Sequence, residues 1–116
     1  MSIETVRISE KAKHQLIKVK KKTGIEHWNV LCRWAFCLSL ADDTPPSPAK
    51  LPLDSNVEMT WRTFGGEHHE LYLALLKHRC YTDYKDYKEE DIAGQFKLHL
   101  HRGIGMLQSQ PNLELY

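Results

Sequence analysis

The stretch from Trp28 to Leu40 constrains this chain most. Trp28, Val30, Leu31, Cys32, Trp34, Ala35, Phe36, Cys37, Leu38 and Leu40 are apolar, and only Asn29, Arg33 and Ser39 interrupt them. On a helix these side chains point nearly all round, and a helix apolar on every side must be covered on every side. The chain has 116 residues, enough for one compact domain spanning 1–116 and too few for two. A domain of that size buries a limited share of its surface. The stretch therefore predicts a homo-oligomer, with Trp28, Leu31, Trp34, Phe36 and Leu38 at the interface between copies.

Composition narrows the class. Hydrophobic residues at 41% and charged residues at 27% are the balance of a soluble globular protein rather than a disordered one. No apolar run approaches the roughly 18 residues of a membrane span. The start, MSIETVRISEK, lacks the basic-then-apolar plan of a secretory signal. A cytoplasmic protein is expected, with Cys32, Cys37 and Cys80 as reduced thiols at no disulfide-framework spacing.

The elements follow from local pattern. Glu4–Ile8 alternates, placing Val6 and Ile8 on one face of a short strand and Thr5 and Arg7 on the other. Ser9 is suited to cap a helix that runs to about Lys22, with Ala12, Leu16 and Val19 as its apolar stripe and Ile17 at the stripe's edge. Gly24 is suited to the left-handed position that ends it. The apolar helix follows, from about Ile25 to Leu40. Pro45, Pro46, Pro48 and Pro52 make the next stretch an extended connection within the domain. Residues 57–64 alternate in part and predict a second short strand, although an extended stretch beside Pro52 would look the same. A helix from Glu67 to about Cys80 has Leu71, Tyr72, Leu73, Leu75 and Leu76 as core candidates. A last helix, headed by Glu89, Glu90 and Asp91, carries Ile92, Ala93, Phe96, Leu98, Leu100, Ile104, Met106 and Leu107 at its apolar positions. Gly103 and Gly105, each costing about 1 kcal/mol in a helix interior, mark a close crossing or a bend. The tail from Gln108, with Pro111, is expected to fray. The fold class is mainly α: a compact helical domain with a short N-terminal strand.

Signatures of enzymes are missing. The chain has no Walker A loop, no GxGxxG, no GxSxG, no CxxC and no HExxH. Its seven histidines make no two-by-two zinc arrangement. His68 and His78 lie too far apart along one helix to share an ion, so surface or packing roles are the default. Cys32 and Cys37 sit in the most apolar helix, where a thiol behaves as a small hydrophobe. Cys80 is the cysteine expected to be accessible and the single candidate for sulfur handling. No catalytic residue, metal or cofactor is assigned.

Charge is more informative. Residues 1–40 hold eight Lys and Arg against three Glu, a net of +5, while residues 41–116 hold eight against twelve Asp and Glu, a net of −4. Seven of the positive residues, Arg7, Lys11, Lys13, Lys18, Lys20, Lys21 and Lys22, lie on or just before the first helix. Lys11, Lys18 and Lys22 share one side of it, with Lys21 adjoining, and Lys13 and Lys20 a neighbouring strip. Lysine is a flexible point charge suited to phosphates rather than base edges. Lys20, Lys21 and Lys22 also complement the C-terminal end of the helix dipole, but seven charges exceed what that end needs.

The opening TVRISEKAKHQLIKVKKKTGIEHWNVLCRWAFCLSL superficially resembles a ribbon-helix-helix unit. Together with the proline-rich connection, the segment WRTFGGEH and the ending HLHRGIGML, it is similar over essentially the whole chain to the DndE family of bacterial DNA sulfur-modification proteins. The resemblance implies a small non-catalytic component of the machinery that replaces a non-bridging phosphate oxygen of DNA with sulfur. It implies a homotetramer that binds double-stranded DNA, preferring nicked duplex, alongside the other proteins of the sulfur-modification complex. No residue-level motif comes with it, so the lysine assignment rests on this sequence. Two readings stand beside it: an assembly adaptor docking other sulfur-modification proteins, and a ribbon-helix-helix transcriptional regulator reading bases through Thr5 and Arg7.

Overall fold

The computed structural model describes residues 3–110. Strand β1, Thr5–Arg7, leads into helix α1, Glu10–Thr23, and then helix α2, Trp28–Ala41. The Ser9 side chain accepts from the Ala12 N–H at 3.0 Å, capping α1. Gly24 closes it at φ 74°, donating its N–H to the Lys20 carbonyl at 2.9 Å. Ala12, Leu16 and Val19 are its buried residues, the stripe that helical spacing predicted. Helix α2 starts at Trp28, three residues later than expected.

Residues 57–64 divide between two elements. Strand β2 is Glu58–Thr60, antiparallel to β1, with Thr5 opposite Thr60, Val6 opposite Met59 and Arg7 opposite Glu58. Thr60 then caps the short helix α3, Trp61–Gly65, accepting from the Thr63 N–H at 3.1 Å. Trp61 and Phe64 are both buried. Three residues apart, they share a face only if the chain is helical, so burial overrides the strand. The strand–helix–helix opening is present, and β1 finds its strand partner in β2 of its own chain.

A single 3₁₀ turn, Gly66–His68, precedes helix α4, His69–Asp83; helix α5 is Asp91–Gln108. Fraying was expected from Gln108, but α5 is still helical there; residues from Pro111 onward lie outside the described residues. Helices α2 and α5 make the central crossing. A Cβ at Gly103 would stand 1.8 Å from the Ala35 carbonyl oxygen, whereas one at Gly105 would meet nothing within 4 Å. Gly103 is thus the close-crossing residue, and Gly105 has no packing reason.

The core is aromatic at its centre. Phe36 of α2 packs against Phe64 at 5.7 Å and Phe96 at 5.2 Å between ring centroids, and Trp61 lies 5.0 Å from Phe64. Two sequence expectations are corrected here. Leu31 and Phe36, assigned to an interface between copies, are fully buried within the one chain, because α3 and α5 cover that side of α2. Among the core candidates of α4 only Leu76 is fully buried; Leu71 and Leu75 are 55% and 41% exposed. Helix α4 lies at the edge, so one side of it meets the core and the other does not.

Candidate nucleic-acid interface

Helix α1 packs through its apolar stripe and turns its lysines outward. Lys11, Lys18, Lys21 and Lys22 are exposed. No hydrogen bond or ion pair to another described residue engages these four. The other three candidates have partners. Arg7 is paired with Glu58 across the two-stranded sheet and also donates to the Ser55 carbonyl. The Lys13 ammonium donates to Asn56 Oδ1 at 2.8 Å. Lys20 Nζ stands 3.9 Å from the centroid of the Trp28 ring, a cation–π contact that holds both side chains at the end of α1. The structure thus divides one basic cluster into four uncommitted lysines and three residues tied to the scaffold.

Burial also sorts the expected interface. Trp28, Trp34 and Leu38 are half-buried and pack on the edge of the core. Among the described residues, Leu71, Leu75, Tyr81 and Tyr84, at 41–56% exposure, are the large apolar side chains left open. Leu71, Leu75 and Tyr81 lie on α4.

The cysteines exchange the roles assigned from sequence. Cys80, expected to be accessible, is buried, and burial pushes its thiol up to about 11, with Asp83 and Asp91 adding to the effect. Cys32 is fully buried, with its thiol pushed up to about 12 by desolvation. Cys37 is the exposed one. Desolvation raises its thiol as well, opposed by the neighbouring Arg33. A thiol held protonated is a poor nucleophile. Among the described residues no group of three His, Cys, Asp or Glu side chains converges as metal ligands would.

A buried polar cluster that sequence reasoning missed fixes the far end of α2. Arg102 of α5 donates from Nε to Ser39 Oγ at 2.8 Å, and from its two terminal nitrogens to the carbonyls of Ser39 and Thr44. Arg79 of α4 donates to the carbonyls of Leu40, Asp42 and Thr44, and its Nε–H is shared between the two carboxylate oxygens of Asp83. Helix α2 has no basic residue in its own last turn, so its terminal carbonyls are satisfied by two arginines from elsewhere. Ser39 Oγ also bonds His99 Nδ1 at 2.8 Å. Burial first, then the two guanidinium groups, lowers His99 to about 4. Apart from the Arg79–Asp83 pair within α4, these contacts cross 35 to 63 residues. The one local signal was a helix ending in SLADDTPP with no C-cap glycine.

The arrangement defines a class: a small helical protein with a lysine-bearing helix presented on a stapled scaffold. The family model described as DNA sulphur modification protein DndE matches residues 5–114, and the chain belongs to that family. The fold is shared with the crystal structure of DndE from Escherichia coli B7A, a protein involved in DNA phosphorothioation modification. The two chains are 24% identical, the match covers 90% of this chain and 95% of that one, and the TM-score is 0.71. A DndE G21/24K mutant, also involved in DNA phosphorothioation, matches with 22% identity, coverage of 92% and 98%, and a TM-score of 0.67. No curated protein matches the chain.

Proposed function

We propose that this chain is the non-catalytic, DNA-binding component of a phosphorothioation machinery, an oligomeric platform that holds nicked double-stranded DNA. The observation that carries the reading is the uncommitted lysine set Lys11, Lys18, Lys21 and Lys22, turned outward on a helix fixed by Ser9 and Gly24. Phosphates are the partners such a surface suits, since lysine supplies charge without the planar fork that reads bases. Arg7, Lys13 and Lys20 play a lesser part, holding the scaffold beneath. A nick makes duplex easier to bend, so a surface that bends DNA meets a smaller deformation cost there. That gives selectivity for structure without readout of sequence.

In this reading the subunits meet through the open side of α4, where Leu71 and Leu75 are exposed, and a homotetramer multiplies the lysine face. The other sulfur-modification proteins are the partners, and the setting is cytoplasmic; among the described residues no helix is long and apolar enough to cross a membrane. Intact and nicked duplexes of identical sequence, titrated across salt, test the proposal. Binding should fall steeply with salt, and the nicked duplex should bind more tightly. Equal affinity at every salt concentration ends the preference for nicks.

A further inference from the structure

A groove of about 630 Å³ runs between the proline-rich connection and the first turns of α5. We propose that it docks an extended segment of a partner protein, one that carries lysine or arginine beside an aliphatic anchor. The inference is independent of the DNA reading.

Leu51, Leu53 and Leu98 line the groove, a concave apolar surface suited to one aliphatic side chain. Pro48 lies in its wall and Pro52 beside it, so that wall is held extended before anything binds, which lowers the ordering cost of association. Tyr84, 41% exposed, and Tyr87 stand at the α4–α5 connection, offering aromatic faces to a cation or an apolar group.

Charge selects the occupant. Asp86, Glu90 and Asp91 line the groove against a single lysine, Lys97. Asp91 accepts from the Lys88 N–H at 2.9 Å and belongs to the start of α5. Asp86 and Glu90 are exposed, and no hydrogen bond or ion pair engages them among the described residues. A basic segment complements them; a nucleic-acid backbone is repelled.

Shape selects an extended chain over a small cation. Ala49, Leu51 and Leu98 also line a second hollow, of about 430 Å³, which reaches Lys11 and His101. The two hollows share a wall and form one trough along α5, longer than a single side chain fills. The acidic residues stand at one end of the trough and Lys11 and Arg102 at the other, so the basic segment belongs at the acidic end; Lys18, Lys21 and Lys22 line neither hollow, and a docked partner leaves them open.

The test titrates the full-length, ¹⁵N-labelled chain at low salt with a synthetic peptide of alternating lysine and leucine. Two control peptides replace lysine by glutamate and leucine by serine. Amide shifts should concentrate at Tyr84, Gly94 and Leu98, and both controls should bind at least tenfold more weakly. The double variant Asp86→Lys, Glu90→Lys, altered at exposed positions, should lose at least tenfold in affinity while keeping its binding to nicked duplex. Reversal of Lys18, Lys21 and Lys22 to glutamate should leave the peptide affinity unchanged. The proposal is overturned by equal affinity of the double variant, by shifts centred elsewhere, or by no binding. Groove shifts that follow protein concentration and ignore the peptide also overturn it, since a second copy would then be the occupant.

Discussion

His99 and His101 both tie α5 to the rest of the fold through a ring nitrogen, one to Ser39 of α2 and the other to the backbone at Ser9. His101 donates from Nδ1 to the Lys97 carbonyl and accepts the Ser9 N–H at Nε2, tying α5 to the start of α1. Burial lowers it from its ordinary value. His99 is lowered to about 4. A histidine depressed in the folded state leaves the unfolded chain binding more protons between about 6.5 and 4, so stability falls as pH falls through that window. Above it the contribution is complete, and below about 4 the loss has saturated. For His99 alone the loss is on the order of 3 kcal/mol. Urea midpoints measured from pH 7.5 to 4 should therefore fall, and His99→Gln should flatten that slope relative to the parent while lowering stability at pH 7. An unchanged slope in the variant would assign the acid sensitivity to the carboxylates instead.

At the scale of elements, the α2–α5 crossing and the arginine clamp decide whether the helices hold their places. Gly103→Ala should destabilise by about 3 kcal/mol, because the added methyl meets the Ala35 backbone, which cannot rotate away. Gly105→Ala, with open space around it, should stabilise by about 0.5–1 kcal/mol through helix propensity. Thermal melts of the pair read the difference directly, and equal effects would mean the helices part easily. Arg102→Lys should cost about 2–3 kcal/mol despite keeping the charge, since an ammonium cannot span Ser39 Oγ and two carbonyls. A melting temperature at the parental value would mean that water replaces the clamp.

These elements also mark how far the sequence could be read. Helix α1 was legible at both ends, since Ser9 and Gly24 act within their own turns. The turn into α3 was not, because Thr60 fits a strand or a cap equally well, and only the joint burial of Trp61 and Phe64 decides. The clamp was invisible because its donors and acceptors are far apart in sequence. Cys37 and Cys80 were assigned in reverse for a related reason. An all-round apolar helix such as α2 does not declare which side faces the core, and α4 had enough leucines to hide its open side. The lysine positions were visible from spacing. Which of them the scaffold would occupy was not, since Glu58, Asn56 and Trp28 reach them through tertiary contacts.

For the whole molecule, the proposed DNA platform has to account for how a chain of net charge +1 would bind a polyanion at all. The answer offered by the fold is segregation: four uncommitted lysines lie on α1, and the acidic groove opens at the other end of α5. If each of the four meets one phosphate, the slope of log affinity against log salt is about −3 to −4 per protomer. Assembly then matters as much as charge, because copies bound to one duplex add their slopes. Lys18→Glu with Lys21→Glu and Lys22→Glu should abolish binding, while Lys50→Glu, on the proline-rich connection, should leave it within about twofold although it removes a charge of the same sign. Leu71→Glu with Leu75→Glu, placed on the open side of α4, should lower the mass seen by light scattering and reduce the salt slope toward the single-protomer value, with the melt little changed. A mass and slope both unaffected by the α4 pair would place the contact between copies elsewhere. A slope that drops while the mass holds would instead put the leucines on the DNA path, and the platform would have to be drawn with α4 against the duplex.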